Sequence, residues 1–309
     1  MSNRIGRYIL EEKISKGGYG ICYKARDEEN NHYAIKKIEK ESKENVINIK
    51  NEINILKVMK SKYSVEYIDS IEDKDYYYIV MELCDGDLNS LVKMNKINMD
   101  LITILKIISQ LNEVIKLMQE KKIIHRDLKP ENILIKYTDK NDFDIKLTDY
   151  GLSKSYESNS KYSKLVGTLY YNGPEVYKNE GNSKSDLWSI GLILYYLFFK
   201  EFPFNNLDEY LNKDVILKKT NISLLDDLIS KLLVKEPKDR ITWENYFIHP
   251  FNKQQIIEIN IDVENDNTNI NILNDQYFNY IQLKDSKMII DNNEVKFNTK
   301  FNFKKENIK

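Results

Sequence analysis

Residues 125–132 of the chain read His-Arg-Asp-Leu-Lys-Pro-Glu-Asn, and Asp149-Tyr150-Gly151 follows after a short interval. The first stretch places a carboxylate, a cation and an amide close together, and the second adds another carboxylate. Carboxylate and amide oxygens bind metal ions such as Mg2+, and a carboxylate can also accept the proton of a hydroxyl group. The combination indicates a site where a metal-bound phosphate could meet a hydroxyl group.

The composition indicates a globular chain with balanced charge. Of its 309 residues 41% are apolar, and 47 basic residues face 48 acidic ones, so a sizeable core is possible in one large domain or two lobes. The net charge of −1 argues against nucleic acid or a membrane surface as a partner. The longest apolar run, 188–199, is too short to span a bilayer, so we expect no membrane insertion. Cys22 and Cys84 are expected to be reduced, which favours a cytoplasmic location and leaves the nucleus open.

Hydrophobic periodicity divides the chain into a strand-rich part and a helical part. Strands are predicted over 8–14, 21–25, 33–38, 65–71 and 76–83. One helix over 45–59 interrupts them, and later helices are predicted over 101–119, 183–199, 223–234 and 242–247. The pattern predicts a β-rich first half followed by a helical second half.

The stretches 125–132 and 149–151 resemble the catalytic loop and the metal-binding motif of eukaryotic protein kinases, in the serine/threonine-directed form. Further motifs of that family follow its order along the chain. They are a glycine-rich loop at 14–22, Ala34-Ile35-Lys36, a hinge-like segment at 81–84, a docking loop at 167–175 and a central-helix motif at 186–191. The resemblance implies an α+β, two-lobed protein kinase fold, with one regulatory helix in a β-rich N-lobe and a mainly helical C-lobe.

The domain boundaries follow from the extent of the resemblance. It implies an N-terminal extension at 1–7 and a kinase domain at 8–251, in which 8–84 form the N-lobe with the hinge and 85–251 form the C-lobe. The remaining tail, 252–309, contains thirteen Asn and no Gly, Pro, Ala or Cys. Such polarity is typical of a mobile tail, whereas apolar alternation over 257–263 and 295–303 favours short strands. Both interpretations stay open at this stage.

The resemblance implies a role for each catalytic position. Asp127 would accept or orient the proton of the substrate hydroxyl, and Lys129 would neutralise charge on the moving phosphoryl group. Lys36 would contact the nucleotide phosphates, held by an ion pair with Glu52. The remaining catalytic position is Thr168 in the docking loop, and the metal ligands would be Asn132 and Asp149.

The same resemblance assigns a set of residues to ATP binding. They are Ile14, Ser15, Gly17, Gly20, Cys22, Ala34, Lys36, Met81, Glu82, Cys84, Asp87 and Leu134. Ser15 replaces the first glycine of the family pattern, and Cys22 replaces a valine. Asp87 would bond the ribose, although its position equally predicts an N-cap for the following helix.

Tyr150 departs from the family's Phe. A buried hydroxyl needs a polar partner or a route to water. The resemblance implies that the ring stacks between His125 and Leu56, and we expect its hydroxyl to reach such a group. On sequence alone, Tyr150→Phe is expected to retain or raise activity.

Three further expectations concern the C-lobe. The resemblance implies that Glu175 forms an ion pair with Arg240 and that Asp186 caps the backbone of the catalytic loop. The hydroxyl-rich segment 153–164 could be a regulatory phosphorylation site, with Ser160 or Ser163 as the acceptor and Arg126 as the phosphate's partner.

The sequence therefore predicts an ATP- and Mg2+-dependent serine/threonine protein kinase, with Mn2+ as a possible substitute. Its partners would be protein substrates with Ser or Thr acceptors, and the sequence names no regulatory partner. A pseudokinase or scaffold is the main alternative. It is disfavoured because the lysine and the two aspartates that pseudokinases commonly lack are all present, as Lys36, Asp127 and Asp149. A small-molecule kinase is a third interpretation that does not require a peptide-docking loop. Within the family, short motifs favour the calmodulin-dependent and autophagy-initiating groups.

Overall fold

The computed structural model of the chain describes residues 3–17, 20–97, 99–140, 142–155, 171–178 and 181–253, together with 257–259, 280–283, 286–291, 294–297 and 302–303. Within these ranges, strands dominate up to residue 82 and helices dominate from 88 to 253. The expected two-lobed α+β architecture is confirmed.

The N-lobe is built on a sheet of six antiparallel strands. They are β1 (Arg4–Ile5), β2 (Tyr8–Gly17), β3 (Gly20–Arg26), β4 (His32–Glu39), β5 (Tyr67–Glu72) and β6 (Tyr76–Glu82). Their order across the sheet is β1-β2-β3-β4-β6-β5. Successive side chains of a strand point to opposite faces, and β6 is buried on both. Tyr77, Ile79 and Met81 join the large core, whereas Tyr78 and Val80 join a small cluster on the other face.

The start of β3 lies close to the backbone of β4. Gly17 pairs with Gly20 at the end of the hairpin. Gly20 has φ +135°, and a Cβ there would lie 2.4 Å from the carbonyl oxygen of Lys37. A side chain at position 20 would therefore push the hairpin away from β4, which explains the glycine.

Helix α1 (Lys43–Val58) packs one face against this sheet. The Ser42 hydroxyl accepts the Asn45 N–H at 3.1 Å and caps its first turn. Ile49, Ile53 and Leu56 recur at helical spacing on the buried face. The same face carries Glu52 into the interior, where the residue is only 4% exposed.

The C-lobe consists of helices around one long apolar core. The helices are α2 (Leu88–Lys93), α3 (Leu101–Glu120), α4 (Pro174–Tyr177), α5 (Ser185–Phe199), α6 (Leu207–Asn212), α7 (Ser223–Leu232) and α8 (Trp243–Ile248). Every residue of α5 from Ser185 to Leu197 is buried, so the helix predicted over 183–199 belongs to the core. Among the described residues, no helix has the length and apolar character that crossing a membrane requires.

Short strands support the loops between these helices. They are β7 (Gly86–Asp87), β8 (Ile123–Ile124), β9 (Ile133–Asp139), β10 (Asp142–Leu147) and β11 (Lys154–Ser155). Strands β9 and β10 form a hairpin that also pairs with β7, and β11 pairs with β8. The segment 125–132 directly follows β8, and the segment 148–153 directly follows β10.

Backbone hydrogen bonds join the N-lobe to strand β10. In the loop after α1, the Leu147 N–H donates to Tyr63 O at 2.8 Å and the Val65 N–H donates to Leu147 O at 2.9 Å. At the start of the C-lobe, the Asp85 N–H donates to Ile135 O at 2.8 Å. The residues that leave β10 are thereby held against the N-lobe.

The C-terminal part contains five further strands in one sheet. They are β12 (Ile257–Ile259), β13 (Tyr280–Leu283), β14 (Ser286–Asp291), β15 (Glu294–Phe297) and β16 (Asn302–Phe303). Their order is β12-β13-β14-β15-β16, with β12 and β13 parallel and the other pairs antiparallel. The alternating positions 257, 259, 295, 297 and 303 fall on strands, whereas 261, 263, 299 and 301 lie outside the described residues.

Candidate active site

The loop at 125–132 is held by a carboxylate from the core helix α5. Asp186 accepts the His125 N–H at 2.8 Å and the Arg126 N–H at 2.9 Å. Arg126 has φ 69°, a left-handed conformation that is unusual for a residue with a side chain. The two bonds from Asp186 stabilise this turn, as the sequence predicted, and direct the next side chain, Asp127, into the site.

Asp127, Lys129 and Asn132 form one hydrogen-bonded group. Lys129 Nζ lies 2.9 and 2.7 Å from the two carboxylate oxygens of Asp127. The Asn132 side-chain N–H donates to Oδ2 of Asp127 at 2.9 Å and to its backbone oxygen at 2.7 Å. Burial raises the pKa of Asp127, and the Lys129 ammonium partly offsets that shift. The result is an oriented carboxylate with increased proton affinity.

Lys36 bridges two carboxylates from distant parts of the chain. Its Nζ lies 2.6 Å from Oε1 of Glu52 on α1 and 2.8 Å from Oδ1 of Asp149. Burial disfavours the ammonium, but the charges of Asp149 and Glu52 outweigh it and raise the pKa of Lys36. Burial likewise opposes the charge on Asp149, and Lys36 outweighs it and lowers the pKa of that carboxyl group. Burial raises the pKa of Glu52, and the Lys36 ammonium opposes that shift. Lys36 and Asp149 are therefore charged at neutral pH.

Asp149 adopts a left-handed backbone conformation, with φ 62° and ψ 67°. Such a conformation costs a residue with a side chain about 1–2 kcal/mol, so surrounding contacts must hold it. Gly151 packs tightly against the Glu52 carboxylate, because a Cβ at position 151 would be 3.1 Å from Oε2 of Glu52. The metal-binding motif is thus packed closely against α1.

Tyr150 is fully buried beside the catalytic loop. Its ring centroid lies 5.2 Å from that of His125, and Leu56 belongs to the same core cluster. Its hydroxyl lies 2.8 Å from Oγ of Ser64, in the loop after α1. The expected contact with His125 and the expected polar partner of the hydroxyl are both present.

His125 is a buried, neutral scaffold residue. Its Nε2 lies 3.1 Å from Thr148 O, and its Nδ1 accepts the Asp127 N–H at 3.3 Å. Because Nδ1 acts as an acceptor, the proton of the neutral ring belongs on Nε2. Burial lowers the pKa of His125 to about 4, although the nearby Asp149 opposes the shift.

The expected metal ligands offer oxygen donors of the right kind. The Asn132 amide nitrogen is used by Asp127, so its side-chain oxygen is the atom suited to a cation. Asp149 supplies a carboxylate. One or two such protein oxygens, completed by phosphate oxygens, suit a hard cation such as Mg2+. No group of three or more His, Cys, Asp or Glu that could hold an ion occurs within the described ranges.

The predicted nucleotide-binding residues line the sheet and the segment that joins the lobes. Ser15 pairs with Cys22 across β2 and β3, and Ala34 pairs with Met81 across β4 and β6. Ile14 is 51% exposed on the outer part of the hairpin, which Gly17 and Gly20 close.

The remaining members of the set surround the junction of the lobes. The Glu82 side chain accepts the Glu66 N–H at 2.8 Å and pairs with Lys146 at 2.8 Å. Leu134 on β9 pairs with Asp87 on β7.

The side chain of Asp87 caps a helix. It accepts the Ser90 N–H at 2.8 Å at the start of α2, so the N-cap interpretation is confirmed. The backbone pairing of Asp87 keeps it beside Leu134, and a ribose contact remains a prediction.

The two cysteines are free thiols. Burial raises the pKa of Cys22 to about 11 and that of Cys84 to about 12. Both are therefore protonated at neutral pH and act as small, weakly polar side chains.

Part of the docking loop and the phosphorylation candidates lie outside the described residues. This applies to Thr168, Ser160 and Ser163. The described part resumes at Tyr171 and includes the predicted pair of Glu175 and Arg240, which are 2.9 and 3.0 Å apart through two separate bonds.

Several contacts at the site were not foreseen from the sequence. They include the ion pair of Lys36 with Asp149, the bond between Ser64 and Tyr150, and the bond from the Asn51 side chain to Ser153 O at 3.0 Å. The Tyr at position 150 signalled that a polar partner was needed, but no motif indicated Ser64. Asn51 precedes Glu52 on α1 and carried no signal of its own.

This site, placed between a curled β-rich lobe and a helical lobe, is that of a protein kinase. The profile of the protein kinase domain matches residues 8–252, and the chain belongs to this family. The predicted resemblance to serine/threonine-type kinases is confirmed. Members of the family use ATP and a divalent metal ion to transfer phosphoryl groups.

Several curated kinases are similar to the chain. Calcium-dependent protein kinase 4 of Plasmodium falciparum is 31% identical over 287 residues, covering 87% of this chain and 54% of the relative. Calcium-dependent protein kinase 29 of Arabidopsis thaliana is 32% identical, covering 79% and 48%. Serine/threonine-protein kinase ULK3 of Xenopus laevis is 33% identical, covering 80% and 56%. The chain thus spans about half the length of these relatives.

Proposed function

We propose that the chain is a serine/threonine protein kinase that transfers the γ-phosphoryl group of ATP to hydroxyl groups of protein substrates. The observation that carries the proposal is the group formed by Asp127, Lys129 and Asn132, with Lys129 Nζ 2.7 Å from Oδ2 of Asp127. Lys36, Glu52 and Asp149 complete the site from the other lobe. Each position on which phosphoryl transfer depends is filled by a residue of suitable chemistry.

Asp127 provides the proton acceptor. The substrate hydroxyl oxygen forms a bond to the γ-phosphorus, the bond from that phosphorus to the β-phosphate oxygen breaks, and ADP leaves. The hydroxyl proton passes to Asp127, whose burial favours the protonated form. Lys129 offsets negative charge beside Asp127, so the carboxylate and the phosphoryl group can approach each other.

Lys36 provides the cation that orients the nucleotide phosphates. Its two carboxylate partners keep it protonated and fix its position. Asn132 and Asp149 would hold the metal, and we propose Mg2+ because the protein donors are all oxygens. When bound there, Mg2+ would supply positive charge against the phosphate oxygens. Mn2+ is the expected substitute.

The choice of acceptor rests on the form of the catalytic loop. Lys129, two residues after Asp127, is typical of the serine/threonine-directed type. Of the three relatives, one is named a serine/threonine-protein kinase and two are named calcium-dependent protein kinases. Protein substrates follow from the docking-loop motif that ends at Glu175. We also propose an intracellular location, which agrees with two free cysteines.

The test is a transfer assay with radiolabelled ATP and Mg2+. The purified chain is incubated with three degenerate peptide libraries that differ only in a fixed Ser, Thr or Tyr acceptor, and Asp127→Asn is the matched control. We expect labelling of the Ser and Thr libraries by the wild type only. A wild-type chain that binds nucleotide but labels none of the libraries would instead be a scaffold.

A further inference from the structure

Ser64 and Tyr150 form a buried side-chain hydrogen bond that no catalytic motif requires. The two oxygens lie 2.8 Å apart, although the residues are 86 positions apart in sequence. Ser64 is 1% exposed and Tyr150 is fully buried. When a buried hydroxyl loses its partner, the full free energy of desolvating that hydroxyl is lost from the stability of the fold. This bond therefore contributes more to stability than a surface contact would.

Ser64 is itself fixed to the strand that leads into the metal-binding motif. It forms a parallel bridge with Leu147, and the backbones of Tyr63 and Val65 on either side both bond to Leu147. The loop 63–65 therefore holds the backbone at 147 and the side chain at 150. The segment 147–150 is tied at both ends to one loop, and Asp149 lies between the ties.

Asp149 is the residue of this segment that most needs such support. Its left-handed backbone is strained, and strained conformations persist when neighbouring contacts over-determine them. Anchoring the next side chain restricts rotation about the backbone of both residues. The carboxylate then stays 2.8 Å from Lys36.

We propose that the Ser64–Tyr150 hydrogen bond holds Asp149 in its metal-binding position, which makes Ser64 a positioning residue for phosphoryl transfer. The proposal rests on the proposed kinase function, in which Asp149 is a metal ligand. It reverses the expectation from sequence for Tyr150→Phe. With Ser64 as a buried partner, removing the hydroxyl weakens the support of Asp149 instead of leaving activity unchanged or raising it.

Three variants separate positioning from simple packing. Tyr150→Phe and Ser64→Ala each leave one buried hydroxyl without its partner, whereas the double variant removes both groups. Tyr246→Phe is the matched control, because Tyr246 is also fully buried and its hydroxyl lies 2.6 Å from Oδ1 of Asn112, within the C-lobe. A double-mutant cycle then gives the coupling between Ser64 and Tyr150.

The measurement is binding of fluorescent methylanthraniloyl-ADP as a function of Mg2+ concentration, well below the lowest melting temperature. We expect Tyr150→Phe and Ser64→Ala to raise the Mg2+ concentration at half-saturation by about two- to tenfold, the effect of one hydrogen bond. Metal-free binding should stay unchanged. Their effects should be non-additive, so that the double variant resembles either single variant. Tyr246→Phe should lower the melting temperature without altering the Mg2+ dependence.

Two results would overturn the proposal. One is a Mg2+ dependence of Tyr150→Phe equal to that of Tyr246→Phe, and the other is tighter Mg2+ binding in Tyr150→Phe. If Tyr150→Phe does not fold, Ser64→Ala alone decides between the same outcomes. The assay needs no phosphoryl transfer, so a failed peptide assay would count against the proposed function and not against the role of Ser64.

Discussion

Both carboxylate oxygens of Glu175 face the guanidinium of Arg240, at 2.9 and 3.0 Å, in a bidentate pair that is almost fully buried. The remaining donors of Arg240 reach backbone oxygens of Val234, Lys184 and Lys235. One side chain therefore joins the end of the docking loop, the start of α5 and the segment after α7. Planar bidentate geometry of this kind cannot be reproduced by a lysine.

Arg240→Ala should destabilise the protein strongly. It leaves the Glu175 carboxylate buried without its cation, which typically costs about 3–5 kcal/mol. The free energy of unfolding in urea measures the loss. The control is Lys231→Ala, which removes an exposed pair with Asp227 and should cost about 0.5 kcal/mol or less. Equal losses in the two variants would show that the buried pair has no special structural role.

Asp127→Asn should greatly slow transfer and leave nucleotide binding largely intact. The amide cannot accept the hydroxyl proton, and the side chain contacts Lys129 and Asn132, whereas Lys36 is the proposed phosphate ligand. We expect kcat to fall by about 100- to 10,000-fold. Steady-state kinetics and a nucleotide titration measure the two effects separately. Wild-type turnover in this variant would contradict the proposed mechanism.

Asp149→Ala should lose the metal-dependent part of nucleotide binding. The substitution removes a proposed metal ligand and one of the two carboxylates that hold Lys36. Calorimetric titration with ADP, with and without Mg2+, is the measurement. The wild type should bind more tightly with Mg2+, and the variant should show no such gain. A variant that still responds to Mg2+ would place the metal on other residues.

His125 should make the protein sensitive to acid. Its folded-state pKa of about 4 lies below the ordinary 6.5, so the stability it contributes is present above pH 6.5 and is lost as the pH falls towards 4. The loss can reach about 3 kcal/mol. Asp186, whose pKa burial raises to about 6, acts in the opposite direction, so the comparison must be with a variant.

The variant for that comparison is His125→Phe. Urea unfolding at several pH values between 7 and 4 should give a smaller loss of stability in His125→Phe than in the wild type. The remaining histidines, His32 and His249, are unchanged in this comparison. Parallel pH profiles for the two proteins would show that His125 is not the group responsible.

The sequence predicted the features that depend on local pattern. Helix α1 was expected over 45–59 and spans Lys43–Val58, since its apolar residues recur at a regular spacing. The pairing of Lys36 with Glu52 followed from the resemblance. The partner of Tyr150 could not be predicted, because a serine in a loop carries no periodic signal and its contacts are with a segment more than 80 residues away in sequence. In the C-terminal part, β12, β15 and β16 overlap the alternating stretches 257–263 and 295–303, whereas no pattern indicated β13 and β14.

Leu147 lies two residues before Asp149, and its backbone is bonded to Tyr63 and Val65 in the loop after α1. The metal-binding carboxylate is therefore linked to the N-lobe through its own backbone as well as through the ion pair with Lys36. A displacement that carried Asp149 away from the N-lobe would have to break these backbone bonds as well as that ion pair. The distance between the nucleotide-binding lysine and the metal-binding carboxylate is thus fixed by main chain as well as by side chains.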